Sequence, residues 1–239
     1  MELDPLIQKL EFKVTVLPPE EPKVQAELRR TGVAPARRKV YFYDTPELAL
    51  FARDLVLRAR VTDGDDDDST VKLRPLPLPD IPARWSATDG VRIELDVVGS
   101  RQVPSAKLDG KPDRGEIEQV EHGALTLDKL FTKAQEAVVA DELPDATALN
   151  DLSVLGPVHA RKWELPPETF PHDLSVEEWS LPDGTHFLEL SFKVAPDEAD
   201  SAKGAFHSLL DRLEIGHDGD PDPKTPRVLK FFAGRLRSG

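Results

Sequence analysis

The sequence predicts an α+β fold in which an eight-stranded antiparallel β-sheet closes into a barrel, with about five helices packed on the outside. Three observations lead to this prediction. Segments in which polar and apolar residues alternate, the period of a β-strand, recur along the 239-residue chain. The polar positions of these segments are almost all ionisable, while the opposite faces are uniformly apolar and need a cover. Segments of helical periodicity can supply that cover.

The strands are recognised by their alternation. From Lys9 to Val16 charged or polar side chains alternate with apolar ones, until Pro18 and Pro19 end the strand. The same alternation, or a run of β-branched and aromatic residues, predicts seven more strands. They are predicted at 40–44, 57–62, 70–74, 92–97, 158–163, 174–181 and 187–193.

The helices are recognised by apolar residues three or four positions apart. Gly32 follows the first helix, in the position of a C-cap glycine. Two helices are preceded by a capping threonine with proline at the first helical position, at Thr45-Pro46 and Thr225-Pro226. The five helices are predicted at 20–30, 47–53, 126–140, 198–213 and from 225 to about 236.

The middle of the chain interrupts this rhythm. Residues 75–81 are rich in proline and are predicted to be irregular, and 99–115 is predicted to be an exposed loop. No repeat with a period of 20–50 residues is found. We therefore predict a single domain over 1–239, with a loop and helical insertion at about 99–151.

Composition excludes several classes of protein. The net charge is −13, which argues against a protein that binds duplex nucleic acid, because such a protein needs a basic surface for the phosphates. The sequence contains no apolar run of about 18 residues, the length that would predict a membrane-spanning helix. The first residues lack the basic start and apolar core of a signal peptide, so we expect a cytoplasmic protein. The absence of cysteine excludes disulfides, thiolate metal sites and cysteine nucleophiles.

The charged strand faces carry the functional information. A sheet face in contact with bulk water commonly includes Thr, Ser and Gln, whereas here nearly every position is ionisable and arginine dominates two adjacent strands. Charges that line a closed barrel cost desolvation free energy unless something compensates them. A triphosphate needs several Arg and Lys donors, and its Mg²⁺ or Mn²⁺ needs carboxylate oxygens. The faces in question carry Lys9, Glu11 and Lys13; Arg58 and Arg60; Lys72 and Arg74; Arg92, Glu94 and Asp96; and Glu189 and Lys193.

Other kinds of site are not supported. The six histidines lack metal-binding spacing, and the chain has neither a P-loop nor a nucleophile elbow. The acidic run 65–68 lacks the spacing of a calcium loop, and we predict a solvated connection between strands there.

Seven short motifs follow one another along the chain. Each motif alone is a weak signal of a protein family, but their order is a more specific one. They are Lys9–Lys13, Tyr41–Pro46, Leu57–Arg60, Thr70–Arg74, Arg92–Asp96, Phe187–Lys193 and Lys224–Arg227. In this order, and over nearly the whole chain, the sequence resembles the CYTH superfamily, the triphosphate tunnel metalloenzymes. The family's first strand reads Glu-x-Glu-x-Lys, where this chain has Lys9-Leu10-Glu11-Phe12-Lys13.

The resemblance implies metal-dependent hydrolysis of a triphosphate inside a charged β-tunnel. The substrate would be inorganic tripolyphosphate or a nucleoside or thiamine triphosphate. The carboxylates expected to hold Mg²⁺ or Mn²⁺ are Glu11, Glu94, Asp96 and Glu189, and the candidate catalytic residues are Glu11, Lys13, Arg60 and Glu94. The residues expected to bind phosphate are Lys13, Arg58, Arg60, Lys72, Arg74, Arg92, Arg161, Lys193, Lys224 and Arg227. In this set Lys224 and Arg227 would close one end of the tunnel.

Two positions depart from the family's pattern. Lys9 replaces its first glutamate, and Ser191 replaces a second glutamate on the last strand, so the number of metal ions is left open. Two alternatives therefore remain: an adenylate cyclase that uses ATP, and a non-catalytic module that binds polyphosphate or an organic phosphate. We expect no duplex nucleic acid or membrane partner, and a homodimer is one option for assembly.

Overall fold

The computed structural model describes residues 3–144, 147–220 and 224–238. Within these residues nine strands hydrogen-bond in the order β1-β5-β6-β4-β3-β2-β7-β8-β9, and β9 returns to β1 to close a barrel. The strands are β1 Lys9–Val16, β2 Ala36–Asp44, β3 Leu55–Thr62, β4 Asp68–Leu73, β5 Arg92–Val98, β6 Arg101–Gly110, β7 Ser153–Glu164, β8 Ser175–Ser180 and β9 His186–Val194. The predicted domain and its insertion also include 1–2, 145–146, 221–223 and 239, which lie outside the described residues.

The predicted barrel with helices is confirmed, but the strand count and the purely antiparallel pairing are wrong. β1 runs antiparallel to β9 and parallel to β5. The ninth strand is β6, which lies within the segment predicted as an exposed loop. Pro104 interrupts its alternation, and proline within an apolar–polar run argues against a strand from sequence alone. Gly99, with φ of +58°, lies in the turn that connects β5 to β6.

Six α-helices accompany the strands in the described residues. They are α1 Glu21–Thr31, α2 Ala83–Ala87, α3 Glu116–Glu121, α4 Lys133–Ala140, α5 Ala199–Arg212 and α6 Lys224–Ser238. The predicted helix 126–140 is divided: a 3₁₀ turn at Leu127–Leu130 precedes α4, because Thr132 leaves the helical conformation to cap α4 by accepting a hydrogen bond from the Gln135 amide. The two shortest helices, α2 and α3, were not predicted.

The predicted helix at 47–53 is reduced to a 3₁₀ turn, Phe51–Arg53. Asp44 organises this region, because its buried carboxylate accepts hydrogen bonds from the backbone amides of Thr45, Leu50 and Phe51 at 2.7–2.9 Å. Burial raises the pKa of Asp44, although these three amides partly offset the effect. The Asp-Thr-Pro motif therefore has a structural role here.

The chain divides into two compact units. The first comprises the residues up to Arg37, Ile93–Val103 and His159–Lys224. The second comprises Arg38–Arg92, Pro104–Val158 and the residues from Thr225 onward.

In the first unit, helix α5 covers the apolar face of β1 and β9. The rings of Phe12 and Phe192 stack with their centroids 5.2 Å apart, and Phe206 of α5 meets Phe192 edge-on at 5.0 Å. Because successive side chains of a strand point to opposite faces, Glu11, Lys13 and Lys193 lie on the face that α5 does not cover.

In the second unit, α4 covers one face of β4 and β6. Gln135 is fully buried; its amide nitrogen donates to the carbonyls of Leu108 at 3.0 Å and Ser69 at 3.3 Å, and its oxygen accepts from the Ser69 hydroxyl at 3.2 Å. Strand alternation places Thr70 and Lys107 on the opposite face.

Candidate functional site

The first unit carries a lysine–carboxylate face, formed by the polar sides of β1, β5, β8 and β9. The strand register brings its members together. Glu11 on β1 lies opposite Asp96 on β5 and Lys193 on β9, and Glu177 on β8 lies opposite Glu189 on β9. These five side chains therefore leave the same face of the sheet.

Lysines bind the predicted carboxylates on this face. The ammonium group of Lys13 lies 2.9 Å from Asp96 Oδ1 and 3.0 Å from Glu11 Oε2. The side chain of Asp96 is fully buried, so Lys13 offsets a charge that would be costly alone. Lys193 Nζ lies 2.9 and 2.8 Å from the two carboxylate oxygens of Glu94, whose side chain is 3% exposed.

Lys224, the first residue of α6, binds the remaining pair of carboxylates. Its Nζ is 2.8 Å from Glu189 Oε1 and 3.0 Å from Glu177 Oε2, and it lies 4.2 Å from the ring centroid of Trp179. Burial by itself lowers the pKa of Lys224, but the adjacent charges of Glu189 and Glu177 outweigh it and raise the pKa above its ordinary value. Lys224 is therefore a cation at neutral pH.

The four predicted metal ligands do not form one cluster. Among residues 3–144, 147–220 and 224–238, no group of three or more His, Asp or Glu side chains is arranged to hold a metal ion. Glu11 and Asp96 both bind Lys13. Glu94 binds Lys193, and Glu189 binds Lys224. The contact with Lys13 thus brings Glu11 and Asp96 together.

The strand register places Arg161, which was predicted to bind phosphate, on the other face of β7. It lies opposite Glu178, and Glu178 lies opposite Leu188 of the apolar face of β9. Its guanidinium binds Glu178 at 2.7 and 2.8 Å and its side chain is 52% exposed. Arg161 and Glu177 therefore lie on different faces of the sheet. Lys162 pairs with Glu177 across the two strands, so Lys162 is the basic residue that β7 adds to the lysine–carboxylate face.

We expect Arg161→Ala to leave both the affinity for tripolyphosphate and its turnover within about twofold of wild type, since an exposed ion pair contributes only about 1 kcal/mol even to stability. Calorimetric titration and phosphate release measure the two quantities. Lys162→Ala is the matched variant on the other face, and we expect it to weaken binding. An Arg161→Ala variant that lost binding while Lys162→Ala kept it would contradict the face assignment.

The second unit carries an arginine-rich face on β3, β4 and β6. Arg60 Nε lies 2.9 and 3.1 Å from the carboxylate oxygens of Asp68, its partner across β3 and β4. Two residues along each strand, Arg58 pairs with Thr70 and donates to its hydroxyl at 3.3 Å. The predicted residues Arg58, Arg60 and Lys72 therefore lie on one face, all half-buried.

Strand β6 adds two residues that were not predicted, Lys107 and Asp109. Thr70 donates to Asp109 Oδ1 at 3.0 Å, and Asp109 Oδ2 lies 3.3 Å from Lys107 Nζ and forms an ion pair with Arg92. Their signal in the sequence is short: two charged residues that alternate with Ala106 and Leu108, directly after Pro104.

Two predicted basic residues lie at the ends of elements. Arg74 follows β4, and its backbone amide donates to the Asp54 carbonyl at 2.8 Å. Arg227 is in the first turn of α6, in the second unit. Both side chains are half-buried, and their role in binding phosphate stays a prediction.

The chain matches no protein-family model, and no curated protein matches it in sequence. Several solved structures share its fold, and two of them have TM-scores above 0.6. One, from Hippeastrum, is described as a candidate adenylyl cyclase with a dominant triphosphatase activity; it is 15% identical, covers 93% of this chain and 95% of its own, and has a TM-score of 0.64. The other, from Bacillus halodurans, is described as a candidate adenylate cyclase; it is 16% identical, covers 92% and 96%, and has a TM-score of 0.62.

These similarities establish the fold, which is the fold implied by the resemblance in sequence. The activities are those of the two other proteins. Among the described helices, none is long and apolar enough to cross a bilayer.

Proposed function

We propose that the chain hydrolyses a triphosphate, either inorganic tripolyphosphate or a nucleoside or thiamine triphosphate. The observation that carries this proposal is the charge of the arginine-rich face. In a chain of net charge −13, this face and the adjoining Arg92 present more cations than carboxylates. The cations are Arg58, Arg60, Lys72, Arg92 and Lys107, and the carboxylates are Asp68 and Asp109.

A triphosphate suits this excess of positive charge. Guanidinium groups bind phosphate oxygens in a two-pronged geometry, and partial burial strengthens such contacts. Pre-placed cations also stabilise the charge that develops as a phosphoryl group is transferred. The fold shared with a protein described as a triphosphatase supports the same substrate class.

The lysine–carboxylate face of the first unit carries carboxylates of the kind that bind a metal ion. Mg²⁺ is commonly bound by one or two carboxylates together with substrate phosphates, so two neighbouring carboxylates are enough for a cation that arrives with the triphosphate. Glu11 and Asp96, which meet at Lys13, would hold Mg²⁺ or Mn²⁺, and the ion would neutralise phosphate charge. Glu94 and Glu189 stay proposed as further ligands, and Lys193, Lys224, Arg74 and Arg227 as further phosphate-binding residues.

The proposal is tested by incubating the protein with tripolyphosphate, thiamine triphosphate and ATP, each with and without Mg²⁺ or Mn²⁺. We expect release of orthophosphate from at least one of them, and faster release with the metal ion. Formation of pyrophosphate and cyclic AMP from ATP would instead establish a cyclase. If no triphosphate is hydrolysed or bound in calorimetric titrations, the proposal is wrong.

A non-catalytic polyphosphate-binding module is the second candidate. One observation favours it: Glu11, Glu94, Asp96 and Glu189 each lie against a lysine that neutralises the carboxylate. Lysines in these positions compete with a metal ion. Tight binding of tripolyphosphate without turnover, unchanged by Mg²⁺ or Mn²⁺, would favour the module over the enzyme.

A further inference from the structure

A small cavity opens in the second unit, between the turn that follows β3 and the start of α3. Its volume is about 340 Å³, which is at the lower end of the range of sites for small organic ligands. Among the described residues, its lining carries three carboxylates and one guanidinium group. They belong to Asp63, Asp67, Glu118 and Arg114.

Asp67 is the buried carboxylate of this cavity. The two aspartates before it, at 65–66, are exposed, as predicted for a solvated connection between strands, whereas Asp67 is 5% exposed. Its Oδ2 accepts a long hydrogen bond, 3.4 Å, from the Gly115 amide, and in the ranges 3–144, 147–220 and 224–238 no group donates to its Oδ1. Burial raises the pKa of Asp67, and the Gly115 amide only partly offsets this effect. A donor with a positive charge would therefore stabilise the ionised carboxylate.

The cations near Asp67 contact other groups. Arg114 donates to the backbone carbonyl of Asp65 at 3.4 Å, and Lys39 Nζ lies 3.6 Å from Glu118 Oε1. The Lys39–Glu118 pair is largely solvated, and such a pair neutralises little charge. The cavity therefore keeps an excess of negative charge, with its buried part at Asp67.

An organic cation with an ammonium group suits this lining. An ammonium group has three N–H donors, and its charge is opposite to that of the three carboxylates. The volume leaves room for a short alkyl chain, and Val61 supplies an apolar part of the wall. A phosphate or other anion would instead be repelled by the three carboxylates.

This cavity is separate from the arginine-rich face. Helix α3, which lines it through Glu118, contacts Lys39 and, through Glu121, the hydroxyl of Tyr41. Lys39 and Tyr41 leave β2 on the face opposite to that of Val40, which pairs with Arg60 of the arginine-rich face. The helix therefore packs on the other side of the sheet.

We propose that the cavity binds a small organic cation, whose ammonium group donates to Asp67 Oδ1 and is flanked by Glu118 and Asp63. The site does not depend on the proposed function, because none of these three carboxylates belongs to the proposed triphosphate machinery. The chemistry on which it depends is a buried carboxylate oxygen that faces a cavity of matching charge.

The test compares Asp67→Asn with Asp66→Asn, using putrescine, a compact diammonium compound, as the probe at physiological ionic strength. Asp66 is the adjacent residue, but its side chain is 74% exposed and pairs with Lys111 at 2.9 Å. We expect wild type to bind putrescine saturably in calorimetric titrations. Asp67→Asn should weaken binding about tenfold or more, the loss typical of a hydrogen bond to a charged group, and Asp66→Asn should bind as wild type does. Equal weakening in the two variants would mean general attraction to an acidic protein and would overturn the site.

Two further probes test the chemistry of the ligand. Butanediol has the same chain as putrescine but no charge, and it should not bind. Mg²⁺ should displace putrescine no better than Na⁺ does at equal ionic strength. Binding of Mg²⁺ that depends on Asp67, without binding of putrescine, would replace the organic cation by a metal ion, and binding of neither would reject the site.

Thermal unfolding separates a binding role of Asp67 from a structural one. Without ligand, Asp67→Asn should melt at or above the wild-type temperature, because its amide oxygen can still accept from Gly115 and the buried charge is gone. Its stabilisation by putrescine should be smaller than that of wild type. A lower melting temperature with an unchanged putrescine-induced shift would assign Asp67 a structural role only. If Asp67→Asn does not fold, Glu118→Gln takes its place and should weaken putrescine binding severalfold; wild-type affinity in that variant would overturn the site.

Discussion

Arg60→Ala is expected to lower the turnover number for tripolyphosphate by about 100- to 1000-fold, the loss commonly measured when one pre-placed donor to a developing negative charge is removed. Arg60 is held before any ligand binds, because its Nε lies 2.9 and 3.1 Å from the carboxylate oxygens of Asp68. A donor fixed in this way needs little reorganisation during the reaction. Phosphate release under saturating substrate measures the effect.

The fold should survive this substitution. The side chains of Arg60 and Asp68 are 24% and 27% exposed, so water can solvate Asp68 once its partner is gone, and we expect a loss of only about 1 kcal/mol in the free energy of unfolding. Arg84→Ala is the matched control, since Arg84 on α2 also pairs with an aspartate, Asp141, with both side chains about half exposed. Equal turnover in the two variants would remove Arg60 from the proposed machinery.

The strands with unbroken alternation could be predicted from the sequence, and so could their charged faces. Lys9 to Val16 and the segment ending at Lys193 both lie in strands, with the polar and apolar faces as expected. Which strands pair could not be predicted. The parallel contact of β1 with β5, which brings Glu11 opposite Asp96, joins segments about 85 residues apart, and periodicity within a segment carries no information about such a partner.

The sequence alone does not assign a face where two basic residues are adjacent. Arg161 and Lys162 differ by one position, and a shift of one residue moves a side chain to the other face of the sheet. Only the register with Glu177 and Glu178 settles which of them belongs to the lysine–carboxylate face. Lys107 and Asp109 were missed for a different reason. Pro104 in β6 favours a loop when tertiary contacts are unknown, so the strand that carries them was not predicted.

The sequence also could not predict which lysines pair with the carboxylates. Lys13 was predicted to bind phosphate, and Glu11 and Asp96 were predicted to bind a metal ion. In the structure the Lys13 ammonium group forms ion pairs with both carboxylates. Spacing along a strand identifies the chemical type of each side chain. It does not show which opposite charges will neutralise each other, since that depends on distances between strands.

Glu94→Ala is expected to abolish turnover of tripolyphosphate, with a loss of at least about 100-fold, as is typical when one charged group that acts in the transition state is removed. The Glu94 carboxylate is 3% exposed and holds Lys193 Nζ at 2.8 and 2.9 Å. Its removal takes away a proposed metal ligand and releases the lysine at the same time. Glu94→Gln separates the two effects, because the amide oxygen can still accept from Lys193 but carries no charge.

Stability distinguishes a lost function from a lost fold in this case. Removing one partner of a buried ion pair costs about 3–5 kcal/mol, but Lys193 is 38% exposed and can be solvated, so we expect about 2 kcal/mol or less for Glu94→Ala. Glu178→Gln is the control, because Glu178 binds Arg161 at similar distances on the opposite face of the sheet. Turnover should fall only in the Glu94 variants, even where urea unfolding shows equal stability. Wild-type turnover in Glu94→Gln would mean that the charge of this carboxylate takes no part in the reaction.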